Sequence, residues 1–225
     1  IDRIREIALR HGLKLVFDCA HAYGSMYKGR KVGTFGDLEV FSFSGTKLVT
    51  CAEGGLIATT DADIFERIKY IRGYGFFEDY DSRYLGINGK ISELNAALGC
   101  LTIDTVEDAV NRRQSIVKRY RENLADIPEV SFQKVKGDDR STYKDFAILC
   151  QYGRDELEAI LSQRGIQTKR YFYPVHRMHY FRDYSREKLP VTEQVYDKIL
   201  CLPIYNEMDN ASIDLVCDIV CEFFK

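Results

Sequence analysis

Residues 41–55, FSFSGTKLVTCAEGG, set a single lysine between a strand-like aromatic run and a pair of glycines, with small polar residues on either side. Lysine ordinarily decorates solvated surface. Lys47 instead follows Val40, Phe41 and Phe43 and precedes a further apolar run, LIA at 56–58. The flanking stretches LEVFSFS (38–44) and GGLIATT (54–60) are rich in Val, Ile, Phe and Thr and read as strands, so Lys47 lies in the link between them. A lysine held against apolar surface loses hydration, which penalises its charged form and frees the neutral amine to attack a carbonyl. That is Schiff-base chemistry; the competing reading is a solvated lysine in a plain strand connection.

Upstream, LKLVFD (13–18) is a continuous apolar run after a glycine, the pattern of a strand buried on both faces of a parallel sheet, with Asp18 at its carboxyl end. Open α/β sheets bind ligands beyond the carboxyl ends of their strands, and a carboxylate there can stabilise a protonated ring nitrogen. Asp18 otherwise caps the following CAHAYGS. His21, three residues on, either reaches a ligand oxygen or satisfies a backbone group. Ser42, Ser44, Thr46 and the glycines Gly45, Gly54 and Gly55 offer hydroxyls and close backbone approach suited to a phosphate, or else simply make turns. Glu53 either pairs with a cation or faces solvent.

Downstream, Asp61 is an N-cap for a helix whose Ile64, Ile68 and Ile71 form one apolar stripe ending at Gly73. The aromatic-rich 76–90 reads as a loop too long to be idle. Helical pattern resumes at Ser92, and a second helix over about 105–127 bridges to sequence of a different character. There DFAILCQ reads as a strand, 154–164 as a helix closed by Gly165, IQTKRYFYP as extended, and ASIDLVCDIVCEFFK as an amphipathic helix. The expected organisation is an α/β domain over 1–108 and a smaller α+β domain over 109–225. The opening IDRIREIALRHG is helical in period but lacks a capping residue, so the reading expects further residues ahead of it.

Composition narrows the partners. With 32 basic and 34 acidic residues the charge is nearly balanced, which gives no electrostatic footprint for nucleic acid or an anionic membrane. Seven cysteines without a Cys-x-x-Cys pair read as reduced thiols of a cytoplasmic protein, and no metal site is expected. No apolar run approaches the roughly 20 residues needed to cross a bilayer.

Four blocks in order carry a resemblance: residues 16–61 (VFDCAHAYGS through IATTD), GINGKISELNAALG, GIQTKRYFYPVH and LCLPIY. Together they resemble the DegT/DnrJ/EryC1/StrS sugar aminotransferases. The resemblance implies an α/β, fold-type I pyridoxal-phosphate transferase of the aspartate aminotransferase type, here a partial large domain followed by a smaller α+β domain. It implies Lys47 as the lysine that holds the cofactor and then moves the proton, and Asp18 as the acid on the pyridine nitrogen. His21 falls near the phenolic oxygen of the cofactor and Ser42 on its phosphate. Asn88 matches an asparagine sent across a homodimer interface to the neighbouring subunit's phosphate; read alone, Asn-Gly is a turn. Tyr173 and His176 are candidate sugar contacts, or a strand end packed on the core. The implied substrates are glutamate and a nucleotide-linked keto-sugar, a dTDP-4-keto-6-deoxyhexose by the match of FDCAHAYG, GINGK and RYFYP. A 3-keto acceptor and a catalytically silent binding remnant are the alternatives. The family's upstream phosphate-binding helix start and stacking aromatic ring have no counterpart in these residues.

Overall fold

The computed structural model describes residues 1–181, 183–184 and 188–225. The chain divides into two compact units, Ile1–Val110 with Lys136–Thr142, and Asn111–Val135 with Tyr143–Lys225. The segment Lys136–Thr142, assigned from sequence to the second domain, groups with the first unit. Arg140 holds it there by donating to both carboxylate oxygens of Glu107, at 2.8 and 3.1 Å, and to the Gly24 carbonyl at 2.9 Å.

In the N-terminal unit, α1 (Asp2–Arg10) leads to β1 (Val16–Asp18), a short hairpin of β2 (Met26–Tyr27) and β3 (Arg30–Lys31), β4 (Leu38–Ser42) and β5 (Gly55–Ala58). Helices α2 (Ala62–Ile71) and α3 (Glu93–Asp104) follow, and α4 (Val106–Asn123) begins here and continues into the second unit. Asp61 caps α2 by accepting from the Asp63 and Ile64 amides, and Ser92 caps α3 through the Asn95 amide. The sheet order is β1-β4-β5, with β1 parallel and β5 antiparallel to β4.

That sheet has one covered and one open face. Register puts Phe17, Glu39, Phe41, Leu56 and Ala58 on the covered side, where Phe41 and Phe43 pack with Cys19, Val49 and Cys51 and meet the edge of Tyr23. On the other side Val16, Val40 and Ile57 are 55, 39 and 48% exposed. This corrects the expectation that LKLVFD is buried on both faces. A continuous apolar run suits two covered faces, but among the described residues only one layer of side chains is laid over these strands.

In the C-terminal unit, β6 (Val130–Phe132), β7 (Phe146–Cys150) and β8 (Ile199–Leu202) form an antiparallel sheet with β7 in the centre. Helices α4, α5 (Arg154–Gln163) and α7 (Asn210–Phe224) share its core, in which Tyr120, Leu157, Leu161 and Ile213 are fully buried. The short helix α6 (Pro190–Lys198) begins at a proline, whose missing amide donor costs nothing in a first helical turn, and lies against β7. β6, β8 and α6 escape the sequence reading because each is short or lacks a clear period.

Candidate active site

Asp18 ends β1, and its Cα lies opposite Val40 of the parallel neighbour β4. Ser42, two residues further along β4, therefore shares the open face with Asp18, at the same end of the sheet. The Asp18 carboxylate is exposed, and Oδ1 accepts from the Ala20 amide at 3.0 Å, an Asx turn that holds the side chain while leaving lone pairs for a ligand. Ser42 is half-buried and its Oγ faces the Ser44 amide at 3.5 Å.

Lys47 rides on the loop that leaves this end of β4. The loop opens with a turn, the Lys47 amide donating to the Ser44 carbonyl at 3.0 Å, and closes where Phe43 O accepts from Cys51 N at 2.8 Å and Gly54 O accepts from Phe43 N at 2.9 Å. Its descending limb is sunk in the core, with Val49 and Cys51 buried, while the Lys47 side chain stays half-buried. Helix α3 braces it from the side: Thr102 Oγ1 donates to Thr50 O at 2.7 Å and Asn95 Nδ2 donates to Glu53 O at 2.9 Å. Gly54, at φ 156°, has no room for a side chain, since a Cβ would meet Cys51 Sγ at 2.6 Å and Ile91 Cδ1 at 2.7 Å. Ala52 holds φ 65°, a conformation that costs a residue with a Cβ about 1–2 kcal/mol. Strain of that kind persists only where the surroundings over-determine it, and here the braced loop does so.

His21 is exposed in the turn after Asp18, and its carbonyl accepts from Thr142 Oγ1 at 3.4 Å. Glu53 is exposed. Asn88 does not form a turn: Gly73 and Asn88 pair as an isolated bridge, flanked by Tyr74 N to Ile87 O at 3.0 Å and Gly89 N to Arg72 O at 2.8 Å. Its side chain is exposed, three residues ahead of the Ile91 that packs against Gly54.

Tyr173 and His176 belong to the C-terminal unit. Tyr173 is half exposed and meets the Tyr196 ring edge-on at 5.4 Å. His176 is mostly buried, with Nε2 3.0 Å from Glu193 Oε1, and Arg177 Nη2 donates to the other oxygen at 2.7 Å. The His176 ring is thus engaged within its own unit.

One residue at this site was missed from sequence. Glu39 is almost completely buried on the covered face, accepting at Oε1 from the Phe35 and Gly36 amides, the latter at 2.9 Å, and at Oε2 from the Cys19 thiol at 3.7 Å. Burial, with the Glu39 carboxylate beside it, pushes the Cys19 thiol up to about 12, so it stays protonated and able to donate. Cys19 is also pinned by its amide to Val40 O at 2.8 Å, so Glu39 fastens the end of β1 just past Asp18. The alternation of LEVFSFS marks position 39 as inward-facing, but the donors that hold the acid there, from Cys19, Phe35 and Gly36, are not adjacent to it in sequence.

Asp18 and Ser42 thus share one face at one end of the sheet, and Lys47 lies on the loop that leaves that end. The set suits a ligand with a basic ring nitrogen, a phosphate and an aldehyde, and no group of His, Cys, Asp and Glu among the described residues is arranged to hold a metal ion. Residues 1–221 match the DegT/DnrJ/EryC1/StrS aminotransferase family, and the chain belongs to that family. It is 33% identical over 220 residues to the dTDP-4-amino-4,6-dideoxy-D-glucose transaminase of Escherichia coli, covering 93% of this chain and 59% of that protein. It is 30% identical over 222 residues to the dTDP-3-amino-3,6-dideoxy-alpha-D-galactopyranose transaminase of Aneurinibacillus thermoaerophilus, covering 98% of this chain and 61% of that one. Among solved structures, DesV of S. venezuelae in complex with a ketimine intermediate superposes with TM-score 0.93 at 30% identity, over 100% of this chain and 61% of that one. The fold is that of the family's pyridoxal-phosphate aminotransferases, present in part: the chain spans about three-fifths of the length of the relatives it matches.

Proposed function

We propose that this chain carries the lysine-bearing part of a pyridoxal-phosphate aminotransferase acting on a nucleotide-linked keto-sugar. The observation that carries the reading is the placement of Asp18 and Ser42 on one open face at the carboxyl ends of adjacent parallel strands, with Lys47 on the loop that leaves the same end. Pyridoxal phosphate, when bound, supplies an aldehyde that condenses with amines and a ring that takes up the electrons left on a substrate carbon. Asp18 would hold the proton on the ring nitrogen, Ser42 would donate to the phosphate, and His21 would lie by the phenolic oxygen. The Lys47 amine would anchor the cofactor and, once released, move the proton between the two carbons of the transfer. The 1–108 portion, joined by Lys136–Thr142, would be the cofactor domain and the rest of 109–225 the smaller domain, whose Tyr173 and His176 are proposed sugar contacts.

Glutamate is the proposed amino donor and a dTDP-4-keto-6-deoxyhexose the proposed acceptor; the identity to a 4-amino-sugar transaminase supports it, and the near-equal identity to a 3-amino-sugar enzyme keeps a 3-keto acceptor as the second reading. A homodimer with shared sites is proposed as well. The support is exposed Asn88 followed by α3, whose Leu94, Leu98 and Leu101 fall on one helical stripe and are exposed. The free state of all seven cysteines fits a reducing, cytoplasmic setting.

Incubation of the chain with pyridoxal phosphate, borohydride reduction and peptide mapping tests the reading. One pyridoxyl group on Lys47 is expected. A label spread over exposed lysines such as Lys14 and Lys90, or no label, overturns it in favour of a silent remnant. Feeding the labelled protein's unreduced counterpart 4-keto and 3-keto nucleotide sugars with glutamate then separates the two acceptors.

A further inference from the structure

The C-terminal unit contains a cavity of about 490 Å³. Its lining includes the apolar Ile166, Leu202, Ile204 and Leu215 and the cationic Lys144, Lys169 and Arg164. The Lys144 side chain is only 11% exposed, and its Nζ sits 3.1 Å from Asp145 Oδ1. That ammonium lies 5.0 Å from the Tyr171 ring centroid, and the Lys169 ammonium lies 5.4 Å from the same centroid. Two ammonium groups therefore converge on one aromatic ring. The Tyr171 hydroxyl beside Lys169 raises the pKa of that ammonium, and Asp145 lies against Lys144.

Among the lining residues three cations face one carboxylate, Asp145. Arg113, on α4 nearby, is engaged elsewhere, donating to the Tyr143 and Lys144 carbonyls and to Asn206 Oδ1. Arg164 makes no ion pair with any of the described residues. Like charges gathered along one cavity, one of them largely buried, make the local potential positive and favour the entry of an anion. The surplus is two positive charges. A phosphoryl group carries about −1.5 to −2 at neutral pH and presents three acceptor oxygens. The volume falls within the roughly 300–1,000 Å³ of small-molecule sites, and the apolar lining gives such a ligand's remaining part a place to bury.

We propose that this cavity binds a phosphorylated small metabolite, its phosphoryl oxygens on Lys144, Lys169 and Arg164 and its carbon portion against Leu202 and Leu215. The proposal does not rest on the assignment of the lysine-bearing site. Isothermal titration of the full chain with phenyl phosphate is the test, with inorganic phosphate as the second arm. Phenyl phosphate is expected to bind one per chain, more tightly than inorganic phosphate, and less tightly as salt is raised. Combined Lys169→Gln and Arg164→Gln, both at exposed positions, should weaken it by at least about tenfold. Leu215→Asp, which places a carboxylate at the cavity wall, should weaken it too. Absence of binding at millimolar phenyl phosphate overturns the proposal, as does equal affinity in wild type and in folded variants. Inorganic phosphate binding as tightly as the ester removes the metabolite and leaves an adventitious ion only.

Discussion

Glu39 stands in β4 between Leu38 and Val40, on the strand face turned away from Asp18, and its carboxylate is the acceptor for two amides and a thiol. A carboxylate placed among Phe17, Phe41 and Ala58 persists only because every donor around it is used. Glu39→Ala would orphan the Phe35 and Gly36 amides as well as the Cys19 thiol. With about 1–3 kcal/mol lost per buried group left unpaired, the variant should lose about 3 kcal/mol in urea unfolding. Glu39→Gln keeps a carbonyl oxygen for the amides and should lose about half of that. Equal stability of wild type and Glu39→Ala would mean that the end of β1 is not fastened this way. At this scale the sequence singles out Lys47 and Asp18 as residues out of place beside apolar strands, while the roles proposed for them come from the family resemblance. Glu39 was hidden because its three donors come from Cys19, Phe35 and Gly36, positions that only folding makes neighbours.

Among the elements, the segment 174–181, two 3-10 turns, depends on α6 for its placement. Glu193 of α6 accepts from Arg177 and pairs with His176, and those two partners, His176 first, lower the Glu193 pKa below its ordinary 4.5. A carboxyl whose folded value is depressed contributes stability above its unfolded pKa and loses it as pH falls through the folded one. The melting temperature of wild type should therefore exceed that of Glu193→Gln at about pH 6, and the gap should close toward about pH 3. A gap that does not change with pH would show that the carboxylate charge is not what matters. Sequence pattern identified the long-period elements, α2, α4, α5 and α7, because an apolar stripe repeats across several turns. It passed over α6, β6 and β8, which are too short to show a period and are defined by pairing with β7 or packing against it.

Across the whole molecule, the two units differ in how completely they bury their apolar residues. Among the described residues the C-terminal unit gathers twenty buried residues into one core, while the principal cluster of the N-terminal unit has five, with Val16, Val40 and Ile57 left on the open sheet face and Ile4 and Ile7 exposed on α1. Apolar side chains exposed together on a sheet face bind hydrophobic dyes. The folded 225-residue chain should enhance the fluorescence of anilinonaphthalene sulfonate, and Val40→Asp with Ile57→Asp should abolish most of the enhancement. A dye signal unchanged in that variant would place the sticky surface elsewhere. What the linear chain determined by itself was local: the strand and helix periods, the caps at Asp61 and Ser92, and the ordered blocks that identify the family, all written in residues close to one another. Which face of β1 and β4 is covered, which acid lies beneath Asp18 and which cations meet around Tyr171 were decided only by the tertiary structure. Burial and charge at those positions depend on neighbours that are distant in sequence, and no local pattern encodes them.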